Sequence, residues 1–466
     1  METKVTMLSR KVESRSTYFR WTLPWIRFGV WLLVGFGLTQ PLVLSASSPA
    51  RPTDPQRPDD QAQGQALDEL LADAARFNPR LRAAYDRWQA ALERIEQADV
   101  LPDPQAHFAY FIESVETRVG PQEQKLGVTQ KVPWPSKLGL RLEVAVEAAR
   151  VAEQRYQVIK LRLFYDIKDA YYELYYLARA ISITEDNIAL LGHLESVAQA
   201  NFMVGAPVSG VVKAQLELGK LDDRLRTLQD LREPALARLN AALGRPADAP
   251  VRWPERVPDR ELELEDQLVF ESLTERNPEL LALDHEIERT SKAIALARTA
   301  FRPDFNFGLD WVSTGDAINP ALPGSGQDPL VARVSVTLPI WRSKYRSAVR
   351  EAERRRGAAR GARADAEFGL EARVELALFR FHDAERKIDL YRDTLVPLSE
   401  ASLEVAQQAY EAGKEDFLDV IDAQRQLLEL QLALERSLAF REQRLAEVEM
   451  LAGRPLAGGA SQGDPP

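Results

Sequence analysis

The residues best placed to do chemistry sit near the C-terminal end, in "YEAGKEDFLDVIDAQRQLL". After Gly413, Asp416, Asp419 and Asp422 recur every third residue, which groups three carboxylates on the first turns of a helix. At a helix start, carboxylates accept hydrogen bonds from free backbone N–H groups and stabilise the helix dipole, so capping is the chemistry this spacing supports by itself. A related stretch, "VAQANFMVGAPVSGVVKAQLEL", has the same glycine-centred layout around Gly205 without the acids. Other chemistries find no foothold. His107, His193, His285 and His382 are scattered, with no His-Glu-x-x-His pair, so no metal site and no cofactor is read. The chain contains no phosphate loop, nucleophile elbow or catalytic triad, and an enzyme is not expected. It has no cysteine, which excludes disulfides, thiol catalysis and a lipidated Cys anchor.

The elements that position these residues follow from composition and period. Of the 466 residues, 28% are charged and glycine is modest, as in long helices with a narrow apolar seam. A net charge of −10 argues against nucleic acid as the principal partner. Basic residues from Lys4 to Arg27 precede the apolar "FGVWLLVGFGLTQPLVLSASSPA", which reads as a secretory signal, because Thr39, Gln40 and Pro41 stop the run short of the roughly 20 residues that span a bilayer. No later segment is apolar enough for a transmembrane helix, so any membrane insertion after export must use strands.

The chain repeats itself. Asn78-Pro79 recurs as Asn277-Pro278, Pro102-Asp103 as Pro303-Asp304, Val132-Pro133 as Leu338-Pro339, Gly205 as Gly413, Ala214-Gln215 as Ala423-Gln424, and Gly244-Arg245-Pro246 as Gly453-Arg454-Pro455. Six landmarks in one order mark the duplication of a whole domain. The predicted organisation is a signal peptide over 1–46, an extended leader over 47–66, a first repeat over 67–246, a Pro-rich linker over 247–263, a second repeat over 264–455 and an unstructured tail over 456–466. Each repeat opens with a helix of about 30 residues (Leu67 to Val100; Leu264 to Phe301), after which the hydrophobic period drops from 3.6 to 2. "PQAHFAYFIES" with "EQKLGVTQKV", and "PDFNFGLDWVS" with "LVARVSVTL", predict two strand hairpins long enough to cross a tilted bilayer. Long helices follow. Ser136 to Met203 contains no proline, although Gly192 is a candidate break, and reverses at Gly205 to return over Val208 to Leu243. Ser343 to Ala412 carries Pro397, a predicted kink, and returns after Gly413 to Leu451.

The fold class is therefore mainly α with a small β part: a long α-helical coiled-coil barrel, internally duplicated, continuous with a transmembrane β-barrel. Four strands cannot close such a barrel, whose single-chain minimum is about eight, and open edges would face lipid unsatisfied. Several chains must pool their strands. Trp134, Trp311 and Trp341, at or near strand ends, fit an interfacial girdle or core packing. The arginines from Arg346 to Arg363 fit a solvated face with Glu partners or contact with lipid headgroups.

The duplicated order of helix, hairpin, long helix and return helix, with Tyr410-Glu411-Ala412-Gly413 followed by Phe417 to Gln424, resembles the TolC family of outer-membrane efflux channels. The resemblance implies a homotrimer in the outer membrane, extending into the periplasm, with one pooled β-barrel and a helical tunnel closed at its periplasmic end. It implies a tripartite efflux system, in which a periplasmic adaptor and an inner-membrane pump, nearest the resistance-nodulation-division type, hand substrates to the channel. It also implies that Asp419 and Asp422 point into the pore constriction as stacked carboxylate rings favouring cations, while Asp416 remains a cap. Tyr410, Gly413, Glu415 and Gly205 would form the periplasmic gate. The family's best-known members lock this gate with an Arg two residues after the tip Gly and an Asp on the other hairpin. Glu415 and Val211 stand at those places here, leaving Tyr410 alone. The rival reading is a soluble periplasmic coiled-coil adaptor or tether without a channel, whose strands would pack on a globular core.

Overall fold

The computed structural model describes residues 67–205, 207–254, 257, 264–412, 414 and 416–456. The expected signal peptide and leader, linker residues 255–256 and 258–263, and the tail beyond Leu456 lie outside the described residues, as do Ala206, Gly413 and Glu415. The first copy runs α1 (Leu67–Phe77), α2 (Pro79–Ala98), β1 (Gln105–Thr117), β2 (Gly120–Val132), α3 (Pro135–Met203), α4 (Ser209–Asp230) and α5 (Arg232–Leu243). The second runs α6 (Asp266–Arg276), α7 (Pro278–Thr299), β3 (Asp304–Thr314), β4 (Leu330–Thr337), α8 (Arg342–Leu390), a π-helical turn (Tyr391–Leu395), α9 (Val396–Glu411) and α10 (Phe417–Ala452). The architecture is mainly helical with one small antiparallel sheet.

Each opening helix predicted as one piece is two. Proline disfavours helical backbone in the residue before it, so Asn78 (φ −67°, ψ 120°) and Asn277 (φ −64°, ψ 119°) are extended and a new helix starts at the proline. Both asparagines then do the same double task. Asn78 Oδ1 accepts from the Leu81 N–H at 3.0 Å, and Asn277 Oδ1 from the Glu279 N–H at 2.8 Å. Their amides donate to the ends of the return helices, Asn78 to the Ala242 carbonyl and Asn277 to the Leu451 carbonyl, each at 2.7 Å. Those helices stop at Gly244 (φ 72°) and Gly453 (φ 77°), in left-handed backbone. A Cβ would come within 2.9 Å of Pro79 at the first and 2.8 Å of the Arg276 carbonyl at the second, so only glycine lets these helix ends seat on the Asn-Pro corner.

The first return helix, expected whole, divides at Leu231, because Pro234 cannot donate to the Asp230 carbonyl. By contrast α3 is continuous over 69 residues, about 100 Å, and Gly192 does not interrupt it. Its buried Leu163, Ile167 and Leu174 form one core with Leu70, Leu81 and Leu239 of the first copy's short helices. The second copy repeats this with Leu273, Leu280, Leu370, Val374, Val448 and Leu451. The kink predicted at Pro397 takes the form of the π turn, whose wider winding accommodates the ring against the carbonyl of Asp393.

The strands pair antiparallel in the order β1-β2-β3-β4. Register places Phe108, Leu126 and Trp311 in one row and Ala106, Val128, Leu309 and Ala332 in the next. This apolar face is exposed, Phe108 at 62% and Leu309 at 51%. The opposite face carries His107, Lys125, Gly127, Asp310 and Arg333. At the foot of the apolar face Trp134 stacks on Phe305 (6.3 Å), and the Arg302 guanidinium lies over the Trp134 ring (5.6 Å). Of the arginine run, Arg355 pairs with Glu351, and Arg363 with Asp284 and Glu367. No helix among the described residues is long and apolar enough to cross a membrane.

If the asparagine corner holds the repeat closed, Asn277→Ala should destabilise the helical part by about 1–3 kcal/mol, since it strands both a helix-start N–H and the Leu451 carbonyl. Asn277→Asp keeps the acceptor and loses the donor, so its thermal midpoint by circular dichroism should fall between wild type and Asn277→Ala. Equal midpoints for all three would remove the corner from the stability of the repeat.

Candidate functional site

The turn after α3 and the start of α10 lie together at one end of the helices. α3 ends at Met203, where the Val204 N–H donates to the Asn201 carbonyl at 3.2 Å and the Gly205 N–H to the Phe202 carbonyl at 3.1 Å, and Gly205 (φ 105°) reverses the chain. Open space surrounds a Cβ at Gly205, so its backbone angle, rather than crowding, calls for glycine. At the other turn Asp416 (φ −83°, ψ 152°) caps α10 in a capping box with Asp419, whose Oδ2 accepts from the Asp416 N–H at 3.3 Å. Gly413 and Glu415, expected at this tip, lie outside the described residues.

The tips are joined by a shared core and three polar ties. Phe417, the first residue of α10, is 1% exposed and packs with Leu194, Ala214, Leu403 and Ile421 from both hairpins. Tyr410 stacks at a tilt on Phe417 (5.2 Å), and its hydroxyl accepts from the Asn201 amide at 3.1 Å. This is the partner that Tyr410 lacked in the sequence. Deeper in, Arg425 grips Glu217 of α4 with two hydrogen bonds (Nε to Oε1 at 3.2 Å, Nη2 to Oε2 at 3.0 Å) while also donating to Asp422 at 3.1 Å. Lys220 adds a third cationic hydrogen bond to Glu217 at 3.0 Å. Below these, Gln424 donates to Asn187 of α3 at 2.9 Å, with both side chains buried.

The structure thus assigns two acids different surroundings. Asp419 is exposed and engaged in the capping box, whereas Asp422 is exposed and shares Arg425 with Glu217. Glu217 is buried, and the Arg425 hydrogen bonds, outweighing burial, together with Lys220 hold its carboxyl below the usual range. Asn201, Glu217 and Arg425 were not singled out by sequence. Their only signal is local, Glu217 with Lys220 and Asp422 with Arg425 at i,i+3, which reads as ordinary helix pairing. Two of the four histidines serve inter-helix contacts: His285 meets Glu147 at 3.0 Å and His382 meets Asp266 at 3.0 Å.

Comparison with known proteins gives this geometry a context. Residues 269–454 match the family described as outer membrane efflux protein. The pyoverdine export outer membrane protein OpmQ of Pseudomonas putida is 24% identical over 294 residues, 59% of this chain and 58% of the relative, so the alignment spans little more than half of that protein. Among solved structures, the outer membrane protein VceC of Vibrio cholerae superposes with a TM-score of 0.68 at 19% identity, covering 83% of this chain and 96% of that one. The outer-membrane channel OprN gives 0.71 at 17% identity, over 85% and 94%. The open MtrE outer membrane channel of Neisseria gonorrhoeae gives 0.68 at 19%, over 84% and 89%. At these identities the likeness is one of fold, and the fold is that of the TolC-like outer-membrane channels.

The depressed carboxyl of Glu217 makes the tie between α4 and α10 acid-sensitive. Its contribution is complete above the unfolded Glu value, about 4.3, and disappears as pH falls through the lower folded value. Glu217→Gln should cost about 1 kcal/mol at neutral pH, given the half-exposed arginine, and should flatten the acid side of the profile. Melting midpoints from about pH 7 to pH 3 test this; parallel curves for wild type and Glu217→Gln would reject it.

Proposed function

We propose that this chain, whose residues 269–454 match the outer membrane efflux protein family, is the outer-membrane channel of a tripartite efflux system. It passes substrates from an inner-membrane pump and a periplasmic adaptor to the exterior. The observation that carries this reading is the sheet. Its apolar face is exposed along all four strands, its other face is polar, and β1 and β4 leave their outer edges unpaired among the described residues. A bilayer tolerates such strands only in a closed barrel, so the edges must meet those of further copies. Strands packed on a globular core, as a soluble adaptor would have, bury that face instead.

The internal duplication supports a ring of three. Within the chain, α3 of the first copy lies against α10 of the second. The pseudo-symmetric counterpart pairs α8 and α9 with the return helix of the first copy. Those surfaces carry exposed Phe368, Phe379, Leu398 and Val405 on one side and Val212 and Leu216 on the other. Repeating the same packing between chains buries both stripes and closes a helical tunnel under the barrel. The segment 1–46 is then the export signal, and the Gly205 turn, small and uncharged, is a docking place for the adaptor. A pump of the resistance-nodulation-division type fits the family resemblance. A mass of three chains for the detergent-solubilised complex is expected, and a monodisperse inserted monomer would end this part of the reading.

Asp419 and Asp422 then form carboxylate rings at the tunnel constriction, with Tyr410, Gly413, Glu415 and Gly205 at the gate. Capping does not compete with this role, because a capping carboxylate retains its charge. Asp419→Asn with Asp422→Asn should lower cation preference and weaken block by multivalent cations, with a stability loss of about 1 kcal/mol or less because Asn caps nearly as well as Asp. Single-channel recordings in planar bilayers decide the point: reversal potential and cation block identical to wild type would sink the ring assignment.

A further inference from the structure

The polar face of the sheet is organised around one carboxylate. Asp310 of β3 is 1% exposed and receives a side chain from each of the other strands: His107 Nε2 on Oδ1 at 2.7 Å, Lys125 Nζ on Oδ2 at 3.1 Å, and Arg333, which donates to Oδ2. Glycines make the room. Gly127 stands opposite both His107 and Asp310 in register, and a Cβ there would fall 2.1 Å from Asp310 Oδ1 and 2.5 Å from His107 Nε2. Gly308 stands opposite Arg333. Aligned by their Pro-Asp and Val/Leu-Pro landmarks, the two copies place Gly308 where the first has His107 and Gly127 where the second has Arg333. Each glycine thus leaves room for a bulky residue on the neighbouring strand, Gly127 for His107 and Asp310 and Gly308 for Arg333.

The cluster is unbalanced in charge. One buried carboxylate faces two permanent cations and an imidazole, so an excess of positive charge remains after Asp310 is neutralised. The donors are also in excess, since a lysine carries three N–H groups and an arginine five, while Asp310 occupies few of them. The cationic ends stay open, with side-chain exposures of 25% for Lys125, 51% for Arg333 and 37% for His107. Asp310 therefore works as an anchor that fixes the cations from below, and the spare donors face the polar side.

We propose that this four-strand cluster is a coordination site for multivalent oxyanions on the inner wall of the barrel. The site rests on the channel reading for its place in the lumen, where three copies at one level would hold solutes bearing several carboxylate or phosphate groups. Closely set cations in a low-dielectric wall hold a multivalent anion better than the same charges spread over an open surface.

The test uses the purified full chain in detergent and inorganic tripolyphosphate, with binding read from broadening of the phosphorus resonances. Wild type should bind, and Lys125→Gln with Arg333→Gln should weaken binding by about tenfold or more, the equivalent of one lost charge-assisted hydrogen bond. Lys131→Gln, on the same face but paired with Asp304, should bind as wild type does. If the double variant fails to assemble, Lys125→Gln alone, which leaves His107 and Arg333 on the carboxylate, carries the comparison. No binding by assembled wild type, or equal loss in Lys131→Gln, overturns the site. Planar-bilayer conductance of the same preparation is read separately: a binding chain that does not conduct overturns the channel, and a conducting chain without Lys125- and Arg333-dependent binding overturns the site alone.

Discussion

Both halves of the molecule depend on the two-sided amide of an asparagine. Asn78 and Asn277 each use their oxygen to start one helix and their nitrogen to finish another that arrives from more than 160 residues away in the first copy and more than 170 in the second. A helix end leaves its last carbonyls and the next helix its first N–H groups without partners, and one side chain serves both deficits. The following proline sets the turn, and Gly244 or Gly453 lets the incoming helix touch it. The landmark pairs Asn-Pro and Gly-Arg-Pro, far apart in each copy, are therefore two faces of a single joint. Closing that joint fixes the return point of a long helical hairpin, and with it the level at which the tips lie.

At the opposite end of the helices the constraint comes from the solvent that the strands must face. Four strands with an exposed apolar face and free edges are unstable alone in either water or lipid, since one solvent penalises the apolar face and the other the unpaired edges. The helices carry a matching deficiency in the exposed stripes of α8, α9 and α4. In the trimer proposed above, the same partner chains complete barrel and tunnel, so the strand edges and the helix stripes are satisfied together. The duplication accounts for this economy: contacts made once inside the chain are available again between chains.

Charge at the tips is arranged with similar reuse. Arg425 holds Glu217 with a bidentate grip and touches Asp422 with its remaining edge. A buried carboxylate with two cationic partners is satisfied, whereas Asp419 and Asp422 stay exposed, the first in the capping box and the second sharing Arg425 with Glu217.

What could be read from the sequence follows from the range of the physics involved. Period-2 and period-3.6 patterning is local, so the strands, the long α3 and the duplication were legible, and Asn-Pro and Gly-Arg-Pro were visible as landmarks. Their contact was not, because it joins residues that only the hairpin brings together. The Asn-Pro break inside each opening helix was readable in principle from the proline rule but was masked by continuous apolar periodicity on both sides. At the tip, Tyr410 was recognisable and Asn201 was not, since an asparagine near a helix end has many uses and its partner lies 209 residues away. The His107, Lys125, Asp310 and Arg333 cluster marks the same boundary. Alternation identified all four as members of a polar face, yet that face becomes a site only when glycines at two particular register positions let the side chains converge, and register is a property of the paired sheet rather than of any strand within it.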